Sequence, residues 1–284
     1  MEVCMRSKTL YLSDLDGTLL QNDATLSPYA VRELNRMIEK GLCFSISSAR
    51  STGTVIGILE GLRLNVPIAL FNGVIYYDYN AAKFVRVMDI DPEAAAQAAC
   101  IMEKYGLNNT MYTYRDQQLF ACYTSLKTER ERQFAAEWSK FPQKKWRQVR
   151  SLSETAREER VVFFSMPGTK EKMDRIYEEM AKIPNLTLSY YLDTYEPLWY
   201  LEIQAGGVDK RLSIRVLRQM AGADRVVAFG DNHNDLAMAG EADVFCAVAN
   251  ATADVLNCAD QVIPANTEDG VIRYLLDLES KGGW

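Results

Sequence analysis

Ser13-Asp14-Leu15-Asp16-Gly17-Thr18-Leu19-Leu20 is the stretch on which the reading of this chain turns. It follows Thr9-Leu10-Tyr11-Leu12, a short apolar run that predicts a buried strand. Two carboxylates separated by one residue therefore fall where that strand should end, and Gly17 permits the sharp turn that must follow. In an open parallel α/β sheet, ligands bind just beyond the carboxyl ends of the strands. Burying two acids so close together is unfavourable unless a cation or hydrogen bonds compensate. A lone Asp-x-Asp is more simply a strand-to-turn junction with local side-chain hydrogen bonds. The full Asp-Leu-Asp-Gly-Thr-Leu string is far rarer by chance, and later segments supply partners for it.

Working outward, Ser27 and Pro28 suit the cap and first position of a helix whose apolar stripe is Val31, Leu34, Met37 and Ile38, ended by Gly41. Leu42 to Ser47 predicts a second strand, running into Ser48-Ala49-Arg50-Ser51 and an apolar helix from Thr54 to Leu62. A hydroxyl at a strand end beside a helix start suits an anion site, and equally suits a plain helix cap. Val66 to Phe71 predicts a third buried strand, closed by the turn signal Asn72-Gly73, and a hairpin follows over Val74–Tyr77 and Lys83–Val87.

Near residue 84 the alternation of strand and helix stops. A helix from Asp91-Pro92 to Gly106 leads into strands over Thr110–Tyr114 and Leu119–Tyr123 and a charged helix over Thr128–Lys140. A polar stretch, 141–158, reads as loop-rich; then come a strand over Val161–Met166, a helix over Gly168–Lys182, and strands over Leu186–Tyr190 and Trp199–Ile203. This α+β pattern reads as a second domain, 84–204, inserted between 1–83 and 205–284. Alternation then resumes with a helix from Lys210 closed by Gly222, a strand over Val226–Gly230 that ends in Asp231-Asn232-His233-Asn234-Asp235, and a strand over Val244–Val248. Asn250 is expected to cap the helix over 251–258 and Thr267 the last helix, Val271–Leu278.

The bulk numbers narrow the function classes. The chain has 284 residues, 48% hydrophobic and 25% charged, as expected of a globular protein. A formal charge of −6 argues against a nucleic-acid-binding surface. No apolar run is long enough for a bilayer, and Met1 to Lys8 lacks the apolar core of a secretion signal, so a cytoplasmic protein without membrane partners is expected. Six cysteines without a Cys-x-x-Cys pair predict reduced thiols, and the single histidine, His233, excludes a His-rich zinc site. The oligomeric state has no readable signal.

If the outer segments form one parallel sheet, Asp14 and Asp16, Ser48, Lys210, and Asp231 and Asp235 all face the same edge. Such carboxylates repel unless a hard cation sits among them, and oxygen ligands around a largely hydrated ion suggest Mg2+. Lys210 and the Ser48 hydroxyl then suit a phosphoryl group beside it. Each residue also has a plainer reading. Lys210 alone is a surface helix charge, His233 a loop residue, and Arg50 a salt bridge rather than a substrate contact. Tyr190, Tyr191, Tyr195, Trp199 and Tyr200 line a pocket or pack a core.

Together these motifs resemble the four motifs of the haloacid dehalogenase-like hydrolase superfamily. A strand, Asn72-Gly73-Val74-Ile75, an insertion and Gly207-Val208-Asp209-Lys210 resemble its Cof-type branch, which includes sugar-phosphate phosphatases. The resemblance spans the chain, with the insertion matched by position and size. It implies an α/β fold, a Rossmann-like parallel-sheet core with an inserted α+β cap domain, and a magnesium-dependent phosphatase acting on a small phosphorylated metabolite. It further implies that Asp14 forms an aspartyl-phosphate and that Asp16 is the general acid and base, its pKa raised by the nearby carboxylates. Mg2+ is held by the Asp14 carboxylate, the Asp16 carbonyl and Asp231. Ser48, Lys210 and Asn234 bind phosphate, and Asp235 supports the metal or orients Lys210. One departure stands out: Ser47-Ser48-Ala49-Arg50 replaces the branch's Ala-Thr-Gly-Arg, keeping the hydroxyl but adding a methyl group at Ala49. The rival readings are a phosphomutase with the same aspartyl-phosphate and a non-catalytic phosphometabolite sensor.

Overall fold

A computed structural model describes residues 7–107, 111–126, 129–138, 144–192 and 197–283. They fall into two compact units, Met1–Arg86 with Asp209–Trp284, and Val87–Val208. Among the described residues no helix is long and apolar enough to cross a membrane.

The first unit opens with β1 (Thr9–Ser13), almost wholly buried, and α1 (Pro28–Glu39). Ser27 caps α1 as expected, its Oγ accepting from the Ala30 N–H at 2.9 Å. β2 (Cys43–Ile46) and α2 (Thr52–Ile58) follow, then β3 (Ile68–Leu70), β4 (Ile75–Asp78) and β5 (Lys83–Val87). β3 is buried throughout, as expected. It pairs antiparallel with β4 in a separate three-stranded sheet, tied to the core by one bridge, Ser47 to Ala69. A short all-apolar run is buried on both faces wherever it sits, so its composition does not name its partner.

In the second unit come α3 (Pro92–Lys104), β6 (Met111–Arg115), β7 (Gln118–Tyr123), α4 (Glu129–Trp138), β8 (Lys144–Gln148), α5 (Leu152–Glu158), β9 (Val161–Gly168), α6 (Lys170–Met180), β10 (Leu186–Leu192) and β11 (Trp199–Ala205). Its six-stranded sheet has the order β10-β11-β9-β6-β7-β8. Ala95, Ala99 and Met102 of α3 join Ile176 and Met180 of α6 and Phe164, Met166, Leu201 and Ile203 of the sheet in one core. Tyr190 and Trp199, with ring centroids 4.9 Å apart, pack against that core, whereas Tyr191 and Tyr200 stack on each other 6.0 Å apart. Tyr195 lies outside the described residues, as do Thr110, Thr128 and 139–143.

Within 144–158 the loop-rich expectation fails: β8 and α5 are both regular. β8 takes its hydrogen bonds from β7, and the Glu103 carboxylate of α3 accepts the Leu152 N–H at 2.6 Å at the start of α5. Both elements draw on residues distant in sequence. The Ser151 Oγ to Glu154 N–H bond, 3.2 Å, was the one local signal.

The chain returns to the first unit through α7 (Lys210–Ala221), β12 (Arg225–Gly230), α8 (Leu236–Ala239), β13 (Val244–Val248), α9 (Ala253–Cys258), β14 (Gln261–Ile263) and α10 (Gly270–Ser280). The core sheet has the order β14-β13-β12-β1-β2 and is parallel throughout. β1 is therefore flanked by β12, which the chain reaches only after the insertion. Ser13 stands opposite Phe229, so both strands end at the same level. Two cap expectations are corrected. Thr252, not Asn250, occupies the N-cap of α9, and Asp269, not Thr267, precedes α10. Asn250 instead bridges the Gly17 carbonyl (2.8 Å) and the Asn266 N–H (2.9 Å). It ties the turn after β1 to a distant loop.

Candidate active site

The carboxyl ends of β1 and β12 deliver Asp14 and Asp231 side by side, and the Asp14 N–H donates to the Phe229 carbonyl at 3.0 Å. The α7 N-terminus supplies Lys210, with Asp209 capping the helix through the Leu212 N–H. The Lys210 side chain is fully buried, and its Nζ lies 2.5 Å from Asp14 Oδ1 and 2.6 Å from Asp235 Oδ1. It is thus no surface charge. Asp235 uses its other oxygen, Oδ2, to accept the N–H groups of Asp231 (2.9 Å) and Asn232 (3.0 Å), bracing the turn after β12.

Oxygens of Asp14, Asp231 and Asp235 come within 4.8 Å of one another. Burial, with Asp235 and Asp231 adding to it, raises the Asp14 pKa well above its usual range, against the pull of Lys210. Asp231 is pushed up to about 6, by burial first and then by Asp235. Burial works against the Lys210 ammonium, yet Asp14 and Asp235 raise its pKa and keep it charged. Three acids thus share one buried ammonium, which leaves an excess of negative charge in an oxygen-only donor set. That set fits a hard divalent cation. Asp14 and Asp231 are the two that could hold it, because both oxygens of Asp235 are already engaged.

Gly17 shows how closely the pieces fit. Its φ is +78°, and a Cβ there would stand 2.3 Å from Asp231 Oδ2. Gly17→Ala is expected to lower stability by roughly 1–3 kcal/mol from backbone strain and to weaken divalent-cation binding by displacing Asp231. Urea unfolding and a magnesium titration of the variant measure both effects.

Ser48 is buried, and its Oγ accepts the Arg50 N–H at 3.2 Å, which leaves the O–H as a donor. Ser48 does not cap α2; Ser51 holds that position. Ala49 is partly exposed and not at positive φ, so its methyl group is accommodated without strain. Asn234 Nδ2 lies 3.4 Å from Asn72 Oδ1. His233 is exposed at the start of a single 3-10 turn, His233–Asp235, 3.5 Å from Asp254.

Asp16 departs from expectation. Its carboxylate is outside the three-acid group and is forked onto Arg50, Nε to Oδ2 at 2.7 Å and Nη2 to Oδ1 at 2.6 Å. The structure pairs Asp16 with a cation where the sequence suggested fellow acids. In this structure Arg50 therefore stands in a salt bridge.

Three further residues join the site. Thr18 donates to Asp231 Oδ1 at 2.9 Å, and Asn250 holds the Gly17 carbonyl. Asn72, read from sequence only as a turn, is buried at φ +53° and meets Ser48 through its N–H and Asn234 through its side chain.

The sequence model for haloacid dehalogenase-like hydrolases matches residues 11–275. The chain belongs to the haloacid dehalogenase-like hydrolase family. Pyridoxal phosphate phosphatase of Escherichia coli is 29% identical over 270 residues, covering 92% of this chain and 95% of that one. The 5-amino-6-(5-phospho-D-ribitylamino)uracil phosphatase of Bacillus subtilis is 24% identical over 275 residues, covering 92% and 94%. Among solved structures, a haloacid dehalogenase-like hydrolase from Bacteroides thetaiotaomicron superposes with a TM-score of 0.75 at 24% identity, over 95% of this chain and 99% of the other. The family resemblance, the α/β fold class and the expectation of an enzyme are thereby borne out.

Proposed function

We propose that this phosphoric monoester hydrolase is magnesium-dependent and cleaves a small phosphorylated metabolite by way of an aspartyl-phosphate on Asp14. The observation that carries this reading is the convergence of Asp14, Asp231 and buried Lys210 at the adjacent ends of β1 and β12. The relatives named for pyridoxal phosphate and for a phosphorylated ribitylaminouracil support small phosphate esters as the first substrates to assay.

In this reading one oxygen of Asp14 attacks phosphorus as the bond to the leaving oxygen breaks, while the other is the one shared by Lys210 and the cation. Asp16 gives that oxygen a proton and later takes one from the water that releases phosphate from Asp14. Ser48, Lys210 and Asn234 hold the non-bridging oxygens. Asp14, the Asp16 carbonyl and Asp231 would hold Mg2+, which when bound neutralises charge on the phosphoryl group. Asp235 orients Lys210 and the turn that carries Asp231.

The test is magnesium-dependent release of phosphate from an aryl phosphate and from a panel of metabolite esters. A sensor releases none, and a phosphomutase gives an isomeric hexose phosphate in place of free phosphate.

Charge linkage adds a pH prediction. The Asp231 pKa rises from 3.8 to about 6 on folding, so between those values Asp231 holds more proton in the folded chain than in the unfolded one. The contribution of Asp231 to metal-free stability should therefore fall as pH rises through that window, relative to Asp231→Asn. A cation must displace the same proton, so its affinity should weaken by up to about tenfold per pH unit below about pH 6. Calorimetric melting with and without Mg2+ should show a magnesium increment that grows from pH 5 to 7; a flat increment contradicts the assignment.

A further inference from the structure

The fork between Arg50 and Asp16 has no part in the steps above. It is a two-point contact, with the side chains 25% and 42% exposed. An ion pair this open contributes at most about 1 kcal/mol to folding, so stability alone gives little reason for it. The same planar fork that grips a carboxylate also grips two oxygens of a phosphate. Arg50 lies on the phosphate side of the site, since its own N–H donates to the Ser48 hydroxyl, the proposed phosphate donor, at 3.2 Å. Asp16 meanwhile lies two residues beyond Asp14 and accepts both guanidinium N–H groups, so its carboxylate is occupied.

We propose that Arg50 exchanges partners. A phosphate group entering the site takes over the guanidinium, and the same event releases the Asp16 carboxylate, which is then free to take a proton from water and pass it to the leaving oxygen. The acid is thus set free only when a phosphate is present. Its use in catalysis rests on the phosphatase reading of Asp16; the exchange itself does not.

Binding of inorganic phosphate to the magnesium-loaded protein, followed by titration calorimetry, tests the exchange without turnover. Arg50→Gln should weaken phosphate by about tenfold or more, as expected for a lost charge-assisted contact, and Arg50→Lys should fall between the two. Asp16→Ala should tighten phosphate several-fold, because the Asp16 carboxylate no longer competes for the Arg50 guanidinium. In the Arg50→Gln background that gain should vanish. An equal gain in both backgrounds means that Asp16 acts only through its charge, and the proposal falls. It falls also if Arg50→Gln binds like wild type, or if wild type binds no phosphate. Thermal melts establish that each variant is folded, and Arg50→Lys and Asp16→Ala carry the test if Arg50→Gln is not. Phosphate exchange without phosphate release from any ester would retain the switch and remove the phosphatase reading instead.

Discussion

Asp14→Asn is expected to abolish phosphate release while leaving the protein folded. An amide cannot attack phosphorus, so turnover should drop by at least about 10⁴-fold, the scale on which removal of a nucleophile acts in other covalent catalysts. The substitution should also reveal the electrostatic state of the site. Asp14, Asp231 and Asp235 share the single ammonium of Lys210 in a buried cluster. Taking the charge from Asp14 leaves Lys210 matched one-to-one with Asp235, and the new amide oxygen can still accept from Nζ. Metal-free Asp14→Asn should therefore melt at or above the wild-type temperature at neutral pH, with a smaller magnesium increment. Phosphate release within tenfold of wild type would mean that another group is the nucleophile.

Lys210→Met should show the reverse, a fold in trouble along with lost activity. Methionine has nearly the same length but no charge, and the side chain it replaces is fully buried between two carboxylates. Breaking a buried ion pair by removing one partner costs about 3–5 kcal/mol, here on the order of a 10 °C fall in melting temperature. Loss of a phosphate donor should lower turnover by a further 10²–10³-fold or so. Lys210→Met combined with Asp235→Asn separates the two effects. Relieving the orphaned Asp235 should restore part of the stability but none of the activity. If Lys210→Met melts with wild type, the buried triad is not what holds these strand ends together.

Much of this site was legible because strand ends can be read from local pattern. Thr9–Leu12 and Val226–Gly230 are apolar runs that stop at acids, and α7 begins at Lys210 behind the capping residue Asp209. These features depend on residues within a few positions of each other. Where the reading failed, the missing information was long-range. β8 is regular because β7 lies beside it, and the first turn of α5 is held by Glu103 from another helix as well as by its own Ser151. Asn250 looked like a helix cap and became a tie to Gly17, 233 residues away. Asn72 looked like a turn and proved to be a buried polar contact; an Asn at positive φ is a turn residue by local rules whatever its side chain meets.

The sequence by itself determined that β1 and β12 are buried and where they stop, since that pattern is written in neighbouring residues. Only the tertiary structure decided what lies across from them. It set β12 beside β1, shut Lys210 between Asp14 and Asp235, and turned Asp16 toward Arg50. A hydrophobic pattern specifies that a strand must be covered, but not by which partner. That choice follows from the packing of the whole chain at once, and with it the neighbours that decide the charge of every acid in the site.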